Sequence, residues 1–441
     1  MMSNRRDFLR YAGLGAASFV AACASRPPEI PQDKAAAPPP PPDFGRLEKT
    51  NLIIGFVPVV ASAPLIIAQE RGLFARYGLN VTLVKQASWQ GIQQGLAEWR
   101  FDAALTPFSM PLQFQLGSKP APLASLMVIN LNDGAVTFSR QAWEADLRPL
   151  PQYVNFFEFA DAYRKYLRGV EPHFALNATM EAYLSRYWLA AMGIDPQREV
   201  KLTAIPPAQM VYKLEAGSIN GYCTGTPWDQ QAVWSQAGFT AILNRDIWQG
   251  HPGNVLAAMQ PWVEQQPTTA RALVAAVLEA CQFCDRPKNA TTISQILSRR
   301  DYLDTKWQLI EPALSGSYRY SQLNDPEDTV SAADFSIFHF RDTEYLQQPN
   351  HANYPWLSHG VWLLTQMIRW HHVELTEYPP DADEILARTY PLAVYKDVAE
   401  ALVIALPSER FQTVPAEAFI DRRDFDPSQP VVYLNRFKLR A

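Results

Sequence analysis

The run Leu52-Ile-Ile-Gly-Phe-Val-Pro58 is apolar throughout and closed by proline, the pattern of a strand buried on both faces. Ala63 to Arg71 follows, with Pro64 suited to the first turn of a helix. Val81 to Val84 reads as a second strand, Gln90 to Trp99 as a helix and Phe101 to Leu105 as a third strand. This strand–helix alternation predicts an α/β layer with right-handed crossovers. The pattern then restarts. His173 to Leu176, Lys201 to Ile205 and Asn220 to Thr224 read as strands, and Met180 to Met192 and the segment from Pro206-Pro207 through Leu214 as the intervening helices. Two such halves predict two lobes with a cleft between them, where ligands sit beyond the C-terminal strand ends. Past Pro252 the chain turns helical, over Thr268 to Cys284, Thr292 to Arg299 and Trp362 to Val373; Asp342 to Pro355 reads as loop and Pro427 to Leu439 as mixed.

The first residues stand outside this pattern. Asn4-Arg5-Arg6-Asp7-Phe8-Leu9-Arg10 is a twin-arginine motif, and the apolar stretch Tyr11 to Ala22 behind it is too short to span a bilayer. A processed export signal is the expectation. Val20-Ala21-Ala22-Cys23 resembles a bacterial lipobox, in which Cys23 becomes a diacylglyceryl-modified N-terminus. Of 36 prolines against 20 glycines, Pro27, Pro28, Pro31 and Pro38 to Pro42 crowd the next segment, which predicts an extended polyproline II tether.

The formal net charge of −5 and the lack of a basic run beyond the first ten residues argue against nucleic-acid binding. Cys281 and Cys284 form a C-x-x-C on a helical segment, but no second C-x-x-C or nearby histidine cluster supports a metal site. Both read as buried apolar side chains. Neither a cofactor motif nor a nucleophile–base set is present in the pattern.

Several stretches match a known family in order. Ile54-Gly-Phe-Val-Pro58, Ala63-Pro-Leu-Ile-Ile-Ala-Gln-Glu-Arg-Gly72 and Tyr77-Gly-Leu resemble the opening of nitrate/sulfonate/taurine-type solute-binding proteins. Arg186-Tyr-Trp188, Gly193-Ile-Asp-Pro196, Ile205-Pro-Pro207, Thr224-Gly-x-Pro-Trp228, Ile247-Trp-x-x-His251-Pro252, Asp285-x-Pro-Lys-Asn289, Tyr354-Pro355, Ser358-His359 and Ile368-Arg-Trp370 are similar to its nitrate and bicarbonate branch. The resemblance implies a two-lobed α/β fold of the type II periplasmic binding protein kind with a helical C-terminal extension. It implies a signal over residues 1–23, a tether over 24–48, lobe one over 49–135, lobe two over 136–250, a return to lobe one over 251–340, and an extension packing on lobe one over 341–441. The implied partners are a small anionic or polar solute, ABC permease and ATPase subunits, and the periplasmic face of the inner membrane through the lipid anchor, with no cofactor.

By position, the nitrate binders' pocket aromatic falls on Thr106 or, with a small gap, Phe108. Their histidine falls on Phe174, with His173 beside it, and their lysine on Gln249. Their glutamine falls around Leu131 to Asp133, where this chain has none. A buried anion needs a compensating cation or several donors, so these departures point to a neutral solute or to an anion held by backbone N–H groups after Thr106 or Asn177. Trp89, Asn177, Thr224, Thr226 and Trp228 are the other candidate lining residues, each with packing or capping as its alternative. His251 reads as structural, and His359, His371 and His372 as lying on or near a helix surface. Two rival readings are a ligand sensor serving a regulatory partner and a pyrimidine-related enzyme using Cys223.

Overall fold

The computed structural model describes residues 40–117, 121–176, 179–323, 330–332, 334–339 and 351–438. The twin-arginine segment, Cys23, residues 24–39 of the tether, Asn177 and residues 342–350 lie outside the described residues.

Two five-stranded mixed sheets organise the body. The first holds β1 (Asn51–Phe56), β2 (Asn80–Lys85), β3 (Ala103–Pro107) and β4 (Leu123–Val128). The second holds β5 (Ala135–Ser139), β6 (His173–Leu176), β7 (Lys201–Ala204), β8 (Gly221–Thr224) and β9 (Gly238–Leu243). The chain then returns to the first sheet as β10 (Asn254–Met259). The strand orders are β2-β1-β3-β10-β4 and β7-β6-β8-β5-β9. β1 runs parallel to β2 and β3, and β6 parallel to β7 and β8. β10 is antiparallel to β3 and β4, and β5 to β8 and β9. These antiparallel members are the strands that enter each sheet directly from the other one. They add to the crossover pattern that the sequence predicts, because a strand arriving from the opposite lobe needs no crossover helix.

The longer helices are α1 (Ala63–Glu70), α2 (Trp89–Ala97), α3 (Ser109–Leu116), α4 (Phe156–Gly169), α5 (Met180–Ala191), α6 (Pro207–Glu215), α7 (Trp228–Trp234) and α8 (Pro267–Cys284). Pro64, Pro207 and Pro267 each occupy an opening position, where a missing N–H costs no intrahelical bond. Among the described residues no helix is long and apolar enough to cross a membrane.

Two connections join the sheets, and they pair with each other. Gly253 N–H donates to Asn130 O at 2.9 Å, Asn132 N–H to His251 O at 3.0 Å, and Leu131 bridges Pro252. Asn130 Oδ1 accepts from Asn254 N at 3.0 Å, and Asn132 Oδ1 accepts from Gly250 N at 2.6 Å. Side-chain amides thus satisfy backbone donors that leaving a sheet would orphan.

The C-terminal extension, with α9 (Leu357–Arg369), α10 (Ala382–Thr389) and α11 (Ala393–Ala401), meets both lobes. On the first, α10 packs on α3 and α11 on α8. The Phe108 ring stacks on Tyr390 with centroids 4.6 Å apart. On the second, Trp248 stacks on Phe419 at 5.3 Å and touches Trp362 at 4.4 Å, and Tyr187 OH donates to Asp421 at 2.8 Å. His359 is a correction to the sequence reading: it is 2% exposed, wedged between Phe108 and Trp248, and burial lowers its pKa to about 3.

Candidate functional site

The C-terminal ends of β3 and β8 and the start of α5 meet around the paired connections. Thr106, next to last in β3, is fully buried, and its Oγ1 has no hydrogen-bond partner. Thr224 ends β8 and pairs with Ala135. Gly225 and Thr226 follow, then Trp228 opens α7 with its Nε1 buried and unpartnered. Of the residues expected to line the cleft, Thr106 and Thr224 therefore lie at strand ends and Trp228 at the start of α7. Trp89, at the start of α2, keeps part of its surface open.

Others lie elsewhere. The Phe108 ring is given to Tyr390 of the extension, which leaves Thr106 at the third strand's end. Phe174 is 2% exposed and packs edge-on against Phe138 at 5.1 Å, inside the second lobe. His173 begins β6, at the opposite end from the cleft, and its Nε2 is 2.8 Å from Thr203 Oγ1. Gln249 Nε2 donates to Asp334 Oδ2 at 3.4 Å, beside the Arg245–Asp334 ion pair. His251 is buried, and desolvation holds its pKa down to about 4, in keeping with a neutral structural ring.

The junction holds groups that the sequence reading passed over. Asp133 is 3% exposed, and its Oδ1 finds no partner. Burial, then the charges of Glu181 and Asp229, push its carboxyl up to about 7. Glu181, in the first turn of α5, is also raised by burial. Asp229, in the first turn of α7, is fully buried and raised to about 6 by burial, although Tyr318 OH and Thr226 Oγ1 donate to its Oδ2. Glycines keep these groups close: Gly134 has φ +90°, and a Cβ there would sit 3.4 Å from Glu181 Cγ, while one at Gly225 would sit 3.2 Å from Asp133 Oδ2. Asp133 lies where the resemblance expects a glutamine. Glu181 and Asp229 gave no signal, because an acid in a helix's first turn is ordinary dipole matching.

Cys223 is buried, with Sγ donating to Asn244 Oδ1 at 3.4 Å, and burial pushes its thiol far up. It lacks the thiolate character that a nucleophile needs. Cys281 and Cys284 are free and buried within α8.

Residues 45–298 match the NMT1-like family. The chain belongs to that family. It is 30% identical to the nitrate/nitrite binding protein NrtA of Nostoc over 99% of both chains. It is 36% identical to the bicarbonate transport ATP-binding protein CmpC of Synechococcus elongatus, over 88% of this chain and 55% of that protein. The chain thus spans about half the length of the curated relatives it matches first. The crystal structure of the periplasmic nitrate-binding protein NrtA from Synechocystis superposes with a TM-score of 0.79 at 28% identity, covering 89% of this chain and all of that one. The family fold, two α/β lobes of the periplasmic binding protein kind, is therefore the fold of this chain.

Proposed function

We propose that this family member is the extracytoplasmic solute-binding component of an ABC importer, held at the membrane by lipid on Cys23 and handing a small solute to permease and ATPase subunits. The observation that carries the reading is the junction itself. Two sheets joined by paired connections enclose buried polar atoms, and the lobes touch across them: Val60 N–H donates to Thr226 O at 2.8 Å and Gln113 Nε2 to Tyr183 OH at 3.4 Å. Rigid lobes that rotate about such connections trap a ligand by bridging it. Exclusion of water then strengthens every polar contact inside. Full-length similarity to a nitrate/nitrite binding protein supports the transport role.

The ligand position we favour is bounded by Thr106, Asp133, Glu181, Thr224, Thr226 and Trp228, with Trp89 at its edge. The twin-arginine motif and Cys23 support export and anchoring. The test has two arms. Small-angle scattering with and without a panel of small solutes should show a contraction on saturation by at least one; no contraction and no melting shift with any of them sinks the binding role. Radiolabelled fatty acid should attach to the wild-type chain and not to Cys23→Ala, and equal labelling of the two removes the anchor.

A further inference from the structure

A cavity of about 350 Å³ lies away from the junction, walled by three parts of the fold. Gln113 of α3 comes from the first lobe, Tyr183 and Arg186 of α5 from the second, and His372 from the turn after α9 of the extension. Tyr183 and Arg186 are three positions apart and share a face of α5. Glu181, two positions before Tyr183, approaches Gly134 instead. β6 and β7 complete the wall with Leu176 and Leu202, and α5 adds Ala182.

Arg186 singles this cavity out. Its Nη1 donates to the Ala182 carbonyl at 3.0 Å, and its Nε is buried without a partner. Among the described residues no Asp or Glu lines the cavity. Burial lowers the Arg186 pKa, and the group acting the other way is Tyr183, with no carboxylate contributing. His372 meets the Tyr183 ring edge-on at 5.1 Å, and desolvation and then the Arg186 charge hold it neutral at a pKa of about 4. A guanidinium keeps its proton in proteins. The cavity therefore carries one full positive charge and no built-in counter-charge, and a half-buried cation left in that state is costly.

The wall also selects the shape of an occupant. One guanidinium balances a monoanion, whereas a dianion would keep a charge uncompensated out of water. The planar fork of arginine matches a carboxylate through two parallel hydrogen bonds. The Tyr183 hydroxyl and the Gln113 amide lie on the same wall, 3.4 Å apart. A bare oxyanion would leave Leu176, Ala182 and Leu202 facing water, while a short apolar body covers them. Pockets of this size suit small organic ligands.

We propose that this cavity is a second ligand site, separate from the cleft position, which takes a small organic monocarboxylate on the Arg186 guanidinium. The site stands whether or not the chain serves an importer.

The experiment is titration calorimetry on the full chain in detergent, with sodium benzoate and sodium butyrate against the neutral benzamide and butyramide. The expected result is saturable binding of at least one carboxylate, at least tenfold tighter than its amide. Arg186→Gln removes the charge, and Leu202→Trp fills the apolar side with Arg186 kept; each should weaken the carboxylate at least tenfold. Absence of carboxylate binding by the wild-type chain overturns the proposal, as does an amide that binds as well as its acid. Wild-type affinity in either folded variant also overturns it, because the carboxylate then sits elsewhere. Should Arg186→Gln fail to fold, Leu202→Trp and the wild-type comparison of acid with amide decide. The scattering panel tests the importer role separately.

Discussion

The backbone N–H of Val60 donates to the carbonyl oxygen of Thr226 at 2.8 Å, and this bond ties a turn of the first lobe to a strand end of the second. It is a latch made of main chain, so side-chain chemistry on either residue leaves it intact. Proline at position 60 removes the donor and exchanges the buried valine side chain for a ring of similar size. Val60 opens a 3-10 turn, a position compatible with proline, and Val59 is already extended at ψ 158°. Val60→Pro should fold and weaken ligand binding by roughly tenfold, since a hydrogen bond contributes about 0.5–1.5 kcal/mol. Scattering of the saturated protein should show a larger radius than wild type; an unchanged radius and affinity would mean the latch does not hold the closed form.

Asp133 gives stability a pH dependence with a definite sign. Burial pushes its carboxyl from the ordinary 3.8 up to about 7 in the folded chain, so between those values the folded chain holds a proton that the unfolded chain has released. Stability from this group therefore falls as pH rises from about 4 to about 7, by up to a few kcal/mol. Asp229, at about 6, acts in the same direction over a narrower window. His251 and His359, at about 4 and about 3, act oppositely, losing stability as pH falls below the usual histidine range. The Asp133 share is isolated by difference. Asp133→Asn should melt above wild type at pH 8, with the gain shrinking to nothing near pH 4. A gain independent of pH contradicts the assignment.

Trp248 fills the seam between the second lobe and the extension, against Trp362, Phe419 and His359. It is 1% exposed. Trp248→Ala leaves a large void lined by aromatic faces, and urea unfolding should report a loss of about 3–5 kcal/mol. A loss below about 1 kcal/mol would show that the seam closes over the gap.

Cys281 and Cys284 are fully buried, and burial raises both thiols well above their usual range. Neither should react with iodoacetamide in the native protein, and both should react once it is unfolded. Rapid native labelling of either would mean that α8 opens locally.

Much of the scaffold was readable because its strands end at recognisable punctuation. The run ending at Pro58 became Asn51–Phe56, and His173 to Leu176 has those bounds in the structure. Helices opened by Pro64 and Pro207 began within a residue of where proline placed them, and the helix read from Thr268 begins at Pro267. The reading missed β4, β5, β9 and β10. All four are buried at every position, so they carry no alternation to detect, and their antiparallel pairing follows from long-range closure. The helix expected from Trp362 to Val373 instead begins at Leu357, because Trp356 and the residues after it are held by the extension's own core. The positions of Thr106 and Thr224 at strand ends were legible from the strand pattern. His173 and Phe174 sit at the far end of β6, where the first meets Thr203 and the second packs on Phe138, partners that only the folded sheet reveals. Glu181 was visible only once three dimensions set it beside Asp133.

The extension that grips Tyr390 against Phe108 on one side and Phe419 against Trp248 on the other acts as a spring across the jaws. Opening must either slide ring past ring or swing the whole tail with one jaw. Both routes limit the gape, so the rate at which cargo exchanges would be set by these ring contacts of the extension.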